Sequence, residues 1–91
     1  MSDFMIRNLS VLNYANGFTL WHYHAQPEAF LITARSGFFN GAAKLINPGD
    51  MIHVSARDGG GTFYVHKASE GRVDAELMAA TMAVPAMAAA E

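Results

Sequence analysis

The sequence predicts a mainly β fold, a small single-domain barrel or sandwich with one short helix and extended termini. Three observations lead there. Aromatic and β-branched residues gather in short runs that alternate between two faces, most clearly from Phe18 to His24. Strong turn signals separate those runs: Asn16-Gly17, Asn47-Pro48-Gly49-Asp50 and Asp58-Gly59-Gly60-Gly61. Within the body of the chain, Phe38 to Ile46 has the spacing of a short helix, with Phe38, Ala42 and Leu45 on one side.

Taken in order, residues 1–8 show no period and read as an N-terminal arm. Leu9 to Tyr14 reads as a short strand, turned back by Asn16-Gly17. In the next strand Leu20, His22 and His24 share one face, with Thr19, Trp21 and Tyr23 on the other. Gln26-Pro27 ends it, because proline cannot donate to a ladder. Glu28 to Ala34 fits helix or strand equally well. After the Pro-Gly-Asp turn, Met51 to Ala56 is a strand with Ile52 and Val54 together. The three glycines at 59–61 read as a flexible hairpin turn, and Thr62 to His66 returns with Phe63 and Val65 inward. Another turn covers Ser69 to Arg72, and Val73 opens a last short segment. Residues 9–75 thus form the expected compact domain. Residues 76–91 form an Ala- and Met-rich tail, with helix propensity from Ala75 to Ala83 and an interruption at Pro85.

The composition bounds what such a domain does. The chain has 91 residues and no cysteine, so neither disulfides nor thiolate metal sites brace it. Only 15% of residues are charged against 52% hydrophobic, which points to apolar surface covered by partners. Small domains without such braces often gain stability by oligomerising. A net charge of −2 with scattered Lys and Arg argues against nucleic-acid binding. No run is apolar enough to span a bilayer as a helix, and no signal-peptide pattern opens the chain, so synthesis in a cytoplasm is expected.

One constellation could carry chemistry. His22 and His24, two apart on a strand, point the same way, and Glu28 and His53 could complete a metal site. The order His-x-His, Glu, Pro-Gly-Asp, His resembles the cupin pattern, which would imply a metal-binding enzyme or sensor. The spacings count against it. Gly17 to His22 is one residue short, Glu28 to Gly37 is too long, and Gly37 to Pro48 leaves no room for the two strands a cupin places there. The other reading makes these histidines polar residues on a solvent or interface face. No P-loop, nucleophile motif or paired carboxylates are present, so no catalytic residue and no cofactor is assigned.

A second resemblance covers roughly residues 9–75. Trp21-His22-Tyr23, Gly37-Phe38-Phe39-Asn40, Gly49-Asp50 with Ile52 and Val54, Phe63-Tyr64-Val65, and Val73 follow one another in an order similar to that of a family of small tailed-bacteriophage proteins encoded near head genes. The resemblance implies a virion protein without catalytic residues, in the role of capsid cement or decoration. It would bind the major capsid protein on the outer head surface as a homo-oligomer, with a trimer expected at three-fold positions. A fibre, spike or tail-associated module is the alternative. The arm 1–8 and the tail are the candidate bridging parts.

Overall fold

The computed structural model describes residues 4–25 and 29–82. The domain is mainly β. Its strands are β1 (Leu9–Ala15), β2 (Phe18–His24), β3 (Met51–Ala56), β4 (Gly59–Ser69) and β5 (Arg72–Met82), and its one short helix is α1 (Phe30–Thr33). They form one five-stranded sheet in the order β1-β2-β3-β4-β5. Pairing is antiparallel except between β2 and β3, which run parallel. The sheet is not closed into a barrel, so the structure bears out the mainly β class and stops short of the finer expectation of a barrel or sandwich.

The parallel pair explains the layout. Parallel neighbours need a crossover, and the chain between β2 and β3 makes it. It carries α1 and a 3-10 turn at Phe38–Ala42 across one face of the sheet. That face bears the alternating residues Thr19, Trp21 and Tyr23 on β2, Ile52, Val54 and Ala56 on β3, and Phe63 and Val65 on β4, all buried. The crossover supplies Phe30, Phe38, Phe39, Ala42 and Ile46 to the same core. The aromatic rings interlock mostly edge to face: Tyr23 meets Phe38 and Phe39 at centroid distances of 5.6 and 5.5 Å.

Four local expectations are corrected. The short helix is α1, in the stretch that fitted helix or strand equally, and Phe38–Ala42 winds as a 3-10 turn instead. Gly59–Gly61 are not the turn. Arg57-Asp58 turns the chain, and the glycines lie inside β4 opposite Ala56, Ser55 and Val54. Close packing requires glycine at 61, where a Cβ would stand 2.6 Å from the Ala79 carbonyl oxygen and 2.7 Å from Phe30 Cζ. Residues 75–82 are strand, not helix, because pairing along β4 outweighs alanine's helix propensity. Residues 4–8 are not a free arm. Phe4 stacks on Tyr23 at 5.2 Å and meets Phe38 and Phe39, the Met5 amide donates to Tyr23 Oη at 2.9 Å, and Ile6–Asn8 form a 3-10 turn. Residues 1–3 and 83–91, the rest of the expected arm and tail, lie outside the described residues.

Candidate functional site

Two groups of residues organise the molecule: a buried carboxylate that ties its layers together, and an open sheet face that carries the histidines.

Asp50 follows Pro48-Gly49, where Gly49 adopts φ +93°, a conformation glycine reaches without strain. This turn drives the Asp50 side chain inward, where it is fully buried. Its Oδ1 accepts the Thr19 amide at 2.9 Å, and its Oδ2 accepts Trp21 Nε1–H and the Asn47 amide, both at 3.0 Å. Its backbone carbonyl accepts the Val65 amide at 3.0 Å. The side chain therefore joins β2 to the turn before β3, and the backbone carbonyl adds β4. A buried carboxylate with three N–H donors is a satisfied structural group. Asn40 plays a smaller version of the same part, its Oδ1 accepting the Val73 amide at 2.8 Å and tying the crossover to β5. At the far end Asp58 Oδ1 accepts the Phe30 amide at 2.8 Å, capping α1 from the β3–β4 turn. The sequence marked Asp50 as part of a turn. It gave no sign that Trp21 would be the partner of Asp50, or that Asp58 would cap a helix so distant in sequence.

The opposite face of the sheet carries the metal candidates. His22 and His53 are register partners on the parallel pair β2 and β3. His24 lies two residues on, its ring 6.4 Å from that of His22. So three of the four candidates do share a face, as the alternation predicts. Glu28 lies outside the described residues. One ring nitrogen of each register partner meets a hydroxyl: His22 Nε2 lies 2.9 Å from Ser55 Oγ, and His53 Nδ1 lies 2.6 Å from Thr62 Oγ1. Among the described residues no group of three or more His, Asp or Glu side chains is arranged to hold a metal ion. Partial burial, with smaller contributions from His24 and then His53, lowers the His22 pKa below its usual value of 6.5. His66 sits apart on β4, paired with Glu76 at 2.6 Å on the exposed face.

What the patch offers is a shallow, open surface floored by Gly60 and Gly61, with His22, His53 and Thr62 around it. It lacks the enclosing walls of a small-molecule site. A cupin would place its ligands inside a closed barrel, whereas these histidines stand on the outer face of an open sheet.

Apolar side chains outside the core are the remaining conspicuous feature. Val11, Leu12 and Tyr14 on β1, and Leu77 and Met78 on β5, are exposed, and both strands are sheet edges. The alternation of β1 was too weak in the sequence to show which of its residues lack cover.

The chain matches no protein-family model, and no curated protein or solved structure is significantly similar to it.

Proposed function

We propose that this chain is a structural protein of a tailed-bacteriophage virion, a capsid cement or decoration protein that binds the outer surface of the head shell. In that role it stabilises contacts between capsomers of the major capsid protein. The observation that carries the reading is the exposed apolar surface along both sheet edges, on a chain with only 15% charged residues. Such surface on a small domain marks an assembly site. The phage assignment rests on the resemblance over residues 9–75. Its support is that the resembling residues share a structural purpose. Trp21 and Asp50 bond to each other, Asn40 holds Val73, Gly37 takes φ +80° ahead of the Phe38–Ala42 turn, and Phe38, Phe39, Phe63 and Val65 fill the core. A pattern spent on folding suits a protein whose work is mechanical.

The mechanism is bridging. A homotrimer at a three-fold position contacts neighbouring capsomers, and burial on the order of 1,000 Å² or more per site gives a stable contact. Repetition over the shell adds avidity against internal pressure. The test is copy number in purified virions, by quantitative mass spectrometry against the major capsid protein. Hundreds of copies per particle are expected. A handful would transfer the chain to a fibre, spike or tail role, and absence from clean particles would reject a virion protein.

A further inference from the structure

We propose that copies of this chain join head to tail, the free edge of β1 in one copy pairing antiparallel with the free edge of β5 in the next. This deepens the self-assembly part of the reading above and rests on it, but it concerns the chain alone, without the shell.

Strand direction permits the join. β1 runs opposite to β2, β2 and β3 run together, β4 runs opposite to them, and β5 runs with β2 and β3. The two edges of the sheet therefore run in opposite directions. A copy placed beside another with the same face up brings β1 against β5 antiparallel, and the sheet continues from one molecule to the next.

The side chains match as well. Val11 and Tyr14 partner Trp21 and Thr19 across β2, and Leu77 partners Phe63 across β4. All three therefore emerge on the face that carries the core. They are 54%, 74% and 41% exposed, because the crossover layer covers the middle of the sheet, reaches β5 around Val73, and leaves these three positions open. A neighbouring copy would set Val11 and Tyr14 of one edge beside Leu77 of the other and make the apolar layer continuous. One molecule thus carries both halves of the contact.

Sheet edges in monomeric proteins are usually blunted by lysine, proline or inward charge. Charge and proline are missing from β1 and from the second half of β5, Leu77 to Met82, while Arg72, Asp74 and Glu76 charge the first half of β5. A bulge does interrupt each edge, at Leu12 and at Met78, and leaves those two apolar side chains exposed as well. A contact between two different patches closes into a ring or runs on as a filament, and the trimer expected above is such a ring.

The experiment is analytical ultracentrifugation of the purified full-length chain. It is run beside a β1 variant, Val11→Lys with Tyr14→Lys, and a β5 variant, Leu77→Lys with Met78→Lys. The wild type is expected as an oligomer and each variant as a monomer. An equimolar mixture of the two variants should form a one-to-one dimer, because each keeps the edge the other has lost. A monomeric wild type overturns the proposal and leaves the edges to the shell or to another segment of the chain. A β5 variant that still dimerises overturns it in favour of symmetric β1-to-β1 pairing. Hydrogen exchange on the wild type supplies a check that needs no variant. Dilution should expose amides of β1 and β5 together and leave β3 protected, and loss from β1 alone would overturn the proposal. Failure here leaves shell binding, measured by copy number, untouched.

Discussion

At the scale of single residues, Asp50 is a buried polar group on which the fold depends as it does on a large core side chain. It has given up water for three N–H donors drawn from β2 and from its own turn. Asp50→Ala strands all three donors, and buried donors left unsatisfied cost about 1–3 kcal/mol each. A total loss of about 3 kcal/mol or more is expected, read as a lower urea midpoint with unchanged slope. Trp21→Phe keeps most of the ring and loses one bond, so a smaller loss, about 1–2 kcal/mol, is expected in the same titration. Glu70 offers the opposite change. It and Gly71 form the two-residue turn between β4 and β5, with φ +54° and +77°. Asparagine tolerates the left-handed region better than glutamate, and Asn-Gly is the favoured pair for such turns. Glu70→Asn is expected to stabilise the chain by about 0.5–1 kcal/mol, raising Tm by roughly 2–8 °C in calorimetry. Equal or lower stability would mean that the Glu70 side chain contributes an interaction that offsets its backbone strain.

At the scale of elements, the sequence displayed alternation well and pairing poorly. Thr19, Trp21 and Tyr23 against His22 and His24 was readable residue by residue, because period two is a local property. That β2 lies parallel to β3 was not, since it depends on where the crossover takes the chain. Gly59–Gly61 misled for a related reason: glycine marks turns, but here it marks a strand lying close beneath Phe30. Gly61→Ala should therefore destabilise through overpacking, by about 1–3 kcal/mol, and Gly61→Val by more. A true hairpin-tip glycine would tolerate the change. The histidine face was legible as a face but not as a function, because the same pattern suits ligands and solvent-facing residues alike. Its one measurable signature is acid sensitivity. The His22 pKa is lowered in the folded chain, chiefly by burial, so the unfolded chain binds the proton more readily. Stability is then unaffected by this residue well above pH 6.5 and falls as pH drops through 6.5 toward the lowered value. His22→Gln should flatten the fall in Tm between neutral and mildly acid pH. A slope identical to that of wild type would assign the sensitivity to other groups.

At the scale of the whole molecule, the limits of the folded unit lie elsewhere than composition suggests. The Ala- and Met-rich stretch reads as a tail, yet its first part is an edge strand that extends the sheet through Met82. The first residues read as an arm, yet Phe4 closes the aromatic cluster of Tyr23, Phe38 and Phe39. Both errors have one cause: local pattern cannot register a contact made with residues far along the chain. The consequence bears on any test of shell binding by truncation. Removing residues 1–8 takes away the Phe4 ring, which lies against Gly41, and the Met5 amide bond to Tyr23, so weakened binding would report a weakened fold. Phe4→Ala isolates that effect. Phe4 is only half-buried, so the loss should fall below the full core range, at about 2 kcal/mol. Removal of residues 1–3 keeps the Phe4 ring with its partners Tyr23, Phe38 and Phe39 and is expected to leave Tm within a degree or two of wild type. Thermal unfolding of both variants decides the matter before any shell is added. If Phe4→Ala unfolds at the wild-type temperature, the ring is not part of the core, and the first eight residues return to being a candidate bridging arm.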